Sequence, residues 1–211
     1  MTLPSSGAIS IGDLASEFGG SAPHSLSEYY RGGSLVPSTK QSTVTATNTG
    51  STQSGTNVRG VSFEQNPPAF NSGNNIMFAY IWADNGSTGN FTTTQQINVT
   101  GTYNLTCSTY LSTGDPGLTC SHSVAVNGQN RGSVTFSQNG SSPQSPHQVL
   151  SFSASAGQTI TTSCTWGSRG HAAGQQTLNG DAGQRYITVS SNTGVPSSGV
   201  ITLEDFYGSS A

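Results

Sequence analysis

Apolar and polar residues alternate along several stretches of the chain, and this period of two is the strongest constraint on its fold. Successive side chains of a strand point to opposite faces, so the pattern predicts strands with one buried face. Asn127-Gly128 follows one such run and predicts a hairpin turn into a strand that contains Val134 and Phe136. We predict an all-β chain, an antiparallel β-sandwich or jelly roll, with a closed trimeric β-prism as the alternative. The clearest alternating runs are 97–107, 118–126, 150–154 and 160–166.

Other stretches have a weaker strand pattern. The apolar run 75–82 predicts a buried strand, and residues 187–189 predict a last one. Residues 38–57 are rich in Ser, Thr, Asn and Gly, with only a weak edge-strand pattern, and 58–75 are interpreted as loop and irregular strand.

Three connections are predicted to be long, at 108–117, 138–147 and 167–184. Long loops in compact domains are typically functional or disordered. The third contains almost nothing that would pack in a core, so we take it as a candidate contact loop. Its charged and titratable residues are Arg169, His171 and Asp181.

Composition excludes several classes of function. The 211 residues are only 7% charged, with a formal net charge of −3, so the chain has no basic footprint for nucleic acid and no polybasic membrane patch. The hydrophobic content of 31% is low, yet the aromatic residues and the alternation favour a folded β-domain with a neutral surface of hydroxyls and amides. No signal-peptide pattern or membrane-spanning apolar run is present, which predicts synthesis in a cytoplasm without membrane insertion.

A sequence repeat marks the two ends of the chain. Residues 4–14 and 196–206 align without a gap, at an offset of 192 (196 − 4). A shorter echo aligns residues 25–30 with 202–207. Each copy predicts a very short helix in which a Ser or Thr cap precedes an acid by three residues. The predicted caps are Ser10 with Asp13, Ser25 with Glu28, and Thr202 with Asp205.

Such short helices are marginal in water unless their apolar side chains rest on something. We therefore interpret these side chains as anchors, either on the protein's own body or on a partner. The predicted anchors are Leu14, Phe18, Leu26, Tyr29, Tyr30, Leu203, Phe206 and Tyr207. Because both ends carry one motif, we expect the ends to lie close together.

The terminal motifs also carry a resemblance. The pattern PSSG-x-I-[ST]-x-x-[DE], the SEYYRGG run and the DFYG run resemble segments of virion structural proteins of tailed, notably marine, bacteriophages. The resemblance covers about residues 3–37 and 195–208. It implies a non-enzymatic virion protein, with a tail or tail-fibre accessory favoured over a capsid decoration or cement protein.

We hypothesise an organisation on this basis. An N-terminal anchoring arm (1–40) and a C-terminal clasp (195–211) would hold a displayed β-sandwich (41–194) on the particle. The expected partners are other virion proteins of the tail, connector or capsid. We expect a homo-oligomer, with a trimer as the working assumption. A host-surface glycan is a further expected partner.

Two other classes of function stay open. A neutral surface with aromatics also suits a carbohydrate-binding module, with Trp82 or Trp166 as candidate stacking residues, although strand patterning favours burial of both. An enzyme needs a catalytic motif or paired carboxylates, and the sequence shows none, so no catalytic residue and no cofactor is predicted.

The three cysteines, Cys107, Cys120 and Cys164, each fall on the apolar face of a predicted strand. Core packing is therefore the favoured interpretation. A Cys107–Cys120 disulfide is disfavoured in a reducing cytoplasm. A zinc site that adds His122 is disfavoured by spacing, and no metal site is predicted.

Overall fold

The computed structural model describes residues 2–55, 58–65, 75–83, 88–111, 118–138, 142–166, 172–181 and 183–211. It divides into two compact units: a terminal unit, Met1–Gln41 with Thr188–Ala211, and a sandwich unit, Ser42–Ile187. The helical elements are α1 Ile11–Phe18 and two 3₁₀ helices, Leu26–Glu28 and Leu203–Phe206. The strands are β1 Thr39–Thr43, β2 Ala46–Gly55, β3 Val58–Gln65, β4 Met77–Ala83, β5 Gly89–Ile97, β6 Gly101–Leu111, β7 Thr119–Val126, β8 Gln129–Ser137, β9 His147–Ala154, β10 Thr159–Trp166, β11 Ala172–Gly180 and β12 Tyr186–Ser190.

The sandwich unit consists of two five-stranded antiparallel sheets. Sheet A has the order β2-β5-β10-β7-β8, and sheet B has the order β3-β4-β11-β6-β9. Without the edge strands β2 and β3, the orders β5-β10-β7-β8 and β4-β11-β6-β9 are those of a jelly roll. The predicted fold class is confirmed. The sandwich builds its core within one chain, so the β-prism alternative is wrong. Strands β1 and β12 form a separate two-stranded ribbon.

The predicted hairpin lies between β7 and β8. Asn127 and Gly128 both have positive φ angles, 48° and 78°, which is the backbone of a type I′ turn. This turn has the twist of the strands that it joins, and the alternation on either side predicts both strands correctly.

The core of the sandwich contains polar side chains among its apolar ones. Thr93, Thr162, His122 and Gln176 are at most 2% exposed. Buried polar groups cost free energy unless they are hydrogen-bonded, and Thr93 Oγ1 lies 2.9 Å from Thr162 Oγ1. The core therefore depends on hydrogen bonds as well as on apolar burial.

Several strands differ from the sequence expectations. Strand β11 occupies half of the stretch 167–184, for which the sequence predicts a loop, and it is the central strand of sheet B. Strands β2 and β3 are longer and more regular than expected, and most of β5 was missed. Polar residues occupy inward positions of β5 and β11, such as Gln95 and Gln176, so an apolar alternation does not reveal these strands. Residues 66–74, in the stretch interpreted as loop and irregular strand, and residues 112–117, in the first predicted long connection, lie outside the described residues.

The terminal unit has its own small core, formed by both ends of the chain. Its most buried side chains, fully shielded from solvent, are Leu14, Tyr29, Val36, Val195 and Phe206. Leu3, Ile9 and Phe18 complete this core and are 7–9% exposed. The ring of Phe206 lies 6.2 Å from that of Phe18 and 6.3 Å from that of Tyr29. A bridge between Thr2 and Ser210 joins the two ends, which confirms that they lie together. Among the described residues, no helix has the length and apolar character to span a membrane.

Candidate functional site

Two tyrosines flank a groove on the outer face of sheet B. Tyr80 of β4, Gln175 of β11 and Ser108 of β6 form one cross-strand row, because Gln175 pairs with both of the others. Tyr110 lies two residues along β6 from Ser108 and pairs with Ala173 of β11. Since side chains on one face of a strand recur every second residue, these residues share a face.

The groove extends to a segment that precedes β9. Backbone bonds from Thr109 N to Pro146 O (3.0 Å) and between Leu111 and Gln144 (2.8 and 2.9 Å) continue the pairing of this edge beyond β9. The continued pairing brings Ser145 to the groove beside Tyr110. The groove is thus built from three neighbouring strands and one edge segment, and hydrogen bonds fix its backbone.

The groove has a volume of about 330 Å³. The side chains of Ala173 and Ser108 are short, which leaves room between the longer side chains of Tyr80 and Tyr110. Tyr110 is 39% exposed and Tyr80 is half-buried. The lining of the groove offers phenol, hydroxyl and amide groups. None of the described lining residues is a carboxylate, a cysteine or a histidine. Such a lining can stack on an apolar ring face and exchange hydrogen bonds with neutral polar groups.

A second concavity, of about 600 Å³, lies where β6 begins and β9 ends. Its lining includes Arg131, Ser151, Ser153 and Gln158. The guanidinium of Arg131 donates to Gln129 Oε1 (3.2 Å). No aromatic ring except that of Phe152, which is 6% exposed, belongs to its described lining. This concavity lacks the exposed aromatic surface of the tyrosine groove.

A cluster of cysteine and histidine side chains lies inside the sandwich. Cys120 and His122 of β7 and Cys164 of β10 are at most 1% exposed. Cys120 Sγ lies 3.4 Å from Cys164 Sγ and 3.5 Å from His122 Nε2. Thr109 of the facing sheet contributes Oγ1, 2.7 Å from the same nitrogen. The predicted burial of the cysteines is confirmed, but two of them are in direct contact with each other and with a histidine.

The contacts of this cluster shift the pKa values of its two thiols in opposite directions. Accepting a hydrogen bond from Cys164 lowers the pKa of Cys120, and contacts with His122 and Thr109 add to this effect. The same bond and burial raise the pKa of Cys164. Cys107 does not belong to the cluster, and burial raises the pKa of its thiol to about 12.

The sequence-predicted contact loop contributes less than expected. Arg169 and His171 lie outside the described residues, while Asp181 is exposed at the end of β11. Half of the predicted loop is strand β11, whose Ala173 and Gln175 line the tyrosine groove instead. Of the two tryptophans, Trp166 is 3% exposed and therefore not a stacking surface, and the side chain of Trp82 lies outside the described residues.

The predicted helix caps are largely confirmed. Ser10 with Asp13 and Thr202 with Asp205 each form a reciprocal capping box. The third cap differs, because Ser25 accepts from the Ser27 amide rather than pairing with Glu28. The 3₁₀ turn there is only three residues long, so the acid does not reach the geometry of an α-helical first turn.

Half of the eight predicted partner anchors are buried within the terminal unit. Four of them, Leu14, Phe18, Tyr29 and Phe206, are at most 7% exposed, because they pack on one another. Direct anchoring on a partner by these four is therefore wrong for this conformation. Leu26, Tyr30 and Leu203 are half-buried, and Tyr207 is 40% exposed.

Sequence reasoning missed the two groove tyrosines. Tyr80 lies inside a continuous apolar run, which does not reveal the face of each residue, and Tyr110 falls in a stretch predicted as a loop. The alternation through Tyr103, Leu105 and Cys107 extends to Leu111. Extending it would have placed Tyr110 on the outer face.

No protein-family model and no curated protein matches the chain. Among solved structures it is similar to a carbohydrate-binding module, TmCBM61, solved in complex with β-1,4-galactotriose (16% identity, 67% of this chain and 89% of the other, TM-score 0.36). It is also similar to a native family 35 carbohydrate-binding module from Clostridium thermocellum (14%, 60% and 90%, TM-score 0.35). A third is the enzymatically active domain of tailspike protein 4 of bacteriophage CBA120 (12%, 70% and 19%, TM-score 0.29). These scores assign no function to the chain.

Proposed function

We propose that the sandwich unit is a non-catalytic glycan-binding module whose ligand lies in the tyrosine groove. The observation that carries this proposal is the placement of Tyr80 and Tyr110 on either side of Gln175 and Ser108 on one sheet face. An aromatic ring offers an apolar surface to the C–H face of a sugar, and the polar groups beside it fix the orientation of the hydroxyls.

The charge of the groove favours a neutral ligand. The described lining carries no ionisable group apart from the two phenols, and the whole chain is only 7% charged. Hydroxyls and amides both donate and accept hydrogen bonds, which matches the mixed donors and acceptors of a neutral sugar. The volume of about 330 Å³ is at the lower end of small-molecule sites, so a short part of a glycan chain fills it.

The same lining supports binding rather than hydrolysis. Glycoside hydrolysis generally needs two carboxylates on either side of the scissile bond. The groove offers Gln175, an amide, where its polar side chains converge. A bound glycan would be held there without an acid or a nucleophile beside it.

A glycan array probed with the full chain tests this proposal. We expect binding to a set of neutral glycans that share one terminal or internal motif. The double variant Tyr80→Ala/Tyr110→Ala should lose this signal while keeping the circular dichroism spectrum of the wild type. An array without any signal above background for the wild type, or a double variant with an unchanged signal, would contradict the proposal.

A second candidate function concerns the terminal unit. The motifs that resemble phage virion proteins lie in the two segments that form this unit. We propose that the terminal unit attaches the chain to a virion, with the tail favoured over the capsid, and that the sandwich unit is displayed for host-surface attachment. Exposed groups of this unit, among them Tyr207 and Val200, are the candidate contacts.

Immunogold labelling of intact particles of the encoding phage tests the second candidate. Label on the tail or its fibres would support an appendage, and label over the capsid would change the assignment to a decoration protein. If label is missing and mass spectrometry finds no copy of the chain in purified particles, the virion proposal is wrong. The glycan array result does not depend on this outcome.

A further inference from the structure

Three soft ligand atoms converge inside the sandwich, away from the tyrosine groove. Cys120 Sγ, Cys164 Sγ and His122 Nε2 all lie within 4.8 Å of one another. Thiolate and imidazole are the ligands that zinc prefers in structural sites. We propose that these three side chains bind a zinc ion in the core of the sandwich.

The separations between the ligand atoms fit this metal. Zn–S bonds of about 2.3 Å and Zn–N bonds of about 2.0 Å, in tetrahedral geometry, place two sulfurs about 3.8 Å apart and a sulfur and a nitrogen about 3.5 Å apart. The structure has 3.4 Å between the sulfurs of Cys120 and Cys164, and 3.5 Å between Cys120 and the His122 nitrogen. Small side-chain rotations are enough to complete the geometry.

A disulfide between the same two cysteines fits less well. In the β7–β10 register Cys164 pairs with His122 and Trp166 pairs with Cys120, so the two cysteines occupy diagonal positions. Diagonal residues of an antiparallel pair lie about 7–8 Å apart at their backbones, whereas a disulfide joins Cα atoms at about 4.4–6.8 Å. A metal ion bridges diagonal cysteines without drawing the strands together.

The nearest oxygen for the fourth position belongs to Thr109. Its Oγ1 lies 2.7 Å from His122 Nε2 and comes from β6, in the opposite sheet. Two thiolates balance the charge of the zinc ion, so the complete site is neutral, which is the condition for burying charge in such a core. A metal held by these residues would join the two sheets.

Gln176 provides a second observation that points to the site. Its amide nitrogen lies 3.2 Å from His122 Nδ1, while its Oε1 is buried without a hydrogen-bond partner among the described residues. When Nε2 binds a metal, Nδ1 carries the proton and needs an acceptor. A turn of the Gln176 amide would supply that acceptor, at the cost of its 2.8 Å bond to the Ser163 carbonyl.

The absence of a side chain at Gly174 leaves the space that the two sulfurs occupy. A Cβ at this position would lie 2.5 Å from Cys164 Sγ and 3.6 Å from Cys120 Sγ. Any other residue would displace the Cys164 sulfur, because contacts this short do not occur between real atoms. The backbone of β11 is therefore matched to the cluster.

Metal analysis of the full chain tests the proposal. The chain is expressed with added zinc, purified under reducing conditions and measured by elemental mass spectrometry, and a second sample is refolded with Co²⁺. We expect one zinc ion per chain, and a Co²⁺ spectrum with thiolate charge-transfer bands and intense tetrahedral d–d bands. Cys164→Ser should lower the zinc content at least tenfold, and the matched control Cys107→Ser should keep it.

The wild type decides the question even if Cys164→Ser fails to fold. Wild-type protein that is free of zinc and gives no thiolate bands with Co²⁺ would overturn the proposal. Equal metal loss in Cys107→Ser would overturn the choice of ligands. A Cys120–Cys164 disulfide in a non-reducing peptide map of protein purified without reductant, together with no metal in the reduced protein, would assign the pair to redox chemistry instead.

Discussion

The Tyr207 hydroxyl donates a hydrogen bond to the Gly7 carbonyl oxygen at 2.6 Å, across 200 residues of sequence. Its counterpart in the repeat is Tyr30, at an offset of 177 (207 − 30), which donates to Gly199. Gly7 and Gly199 are themselves equivalent at the offset of 192 (199 − 7). The C-terminal copy therefore binds two segments by the same kind of contact: its Tyr207 binds the first N-terminal copy, and its Gly199 accepts from Tyr30 of the short repeat at 25–30.

Backbone hydrogen bonds link the same segments. Gly208 N donates to Pro4 O, and Arg31 N donates to Pro196 O, both at 3.0 Å. Pro4 and Pro196 are equivalent residues of the two motifs. The C-terminal segment is thus bonded to both N-terminal segments, and this explains why Phe18, Tyr29 and Phe206 are buried within the chain rather than left for a partner.

Removing the Tyr207 hydroxyl tests how much its hydrogen bond to Gly7 contributes to the stability of the terminal unit. Tyr207→Phe should lower the free energy of unfolding of the terminal unit by about 0.5–1.5 kcal/mol, the net value of one hydrogen bond. Tyr186→Phe is the control, since Tyr186 is similarly exposed, at 37% against 40%. Hydrogen exchange of amides in residues 2–20 reports on this unit. Equal protection in both variants would contradict the prediction.

Phe206 holds the core of the terminal unit together. Phe206→Ala removes a fully buried ring that contacts Phe18 and Tyr29. The cost of such a cavity is about 3–5 kcal/mol, enough to unfold a small unit. Limited proteolysis should then cleave residues 1–37 quickly, while Tyr207→Ala, which truncates the exposed neighbour, should resist much longer. Similar cleavage rates for the two variants would count against this role.

The Ser10–Asp13 capping box predicts a pH dependence for α1. Hydrogen bonds from the Ser10 side chain, and then from its backbone, lower the pKa of the Asp13 carboxyl. Since the folded pKa lies below the unfolded value of about 3.9, the stabilisation is complete above that value and is lost as the pH falls through the folded pKa. Nuclear magnetic resonance titration of α1 amides should show this transition, and Asp13→Asn should remove it. A transition that persists in Asp13→Asn belongs to another group.

The parts of the fold that follow from sequence are those with a clean apolar alternation. Residues Tyr103, Leu105 and Cys107 predict β6, because every second side chain enters the core. The apolar alternation does not predict strand β11, because two of its inward residues are Gly174 and Gln176. Gly174 lies against the sulfurs of the buried cluster, and Gln176 lies against its imidazole. A strand that packs on a polar cluster has no apolar signature.

The candidate sites follow even less from sequence. Cys120 and Cys164 are separated by 44 residues, and only the pairing of β7 with β10 brings their sulfurs together. Tyr80 and Tyr110 line one groove only because β11 lies between their strands, and the sequence predicts a loop where this strand lies. The terminal repeat is the exception, since its self-similarity indicates in advance that its two halves are related.

The affinity of the tyrosine groove for a glycan tests the central claim of this account most directly. Isothermal titration of the best array ligand into wild type, Tyr110→Ala and Tyr186→Ala compares two tyrosines of nearly equal exposure, 39% and 37%, of which only Tyr110 lines the groove. We predict that Tyr110→Ala weakens binding at least tenfold, about 1.4 kcal/mol, and that Tyr186→Ala binds like the wild type. Wild-type affinity in Tyr110→Ala would contradict the account.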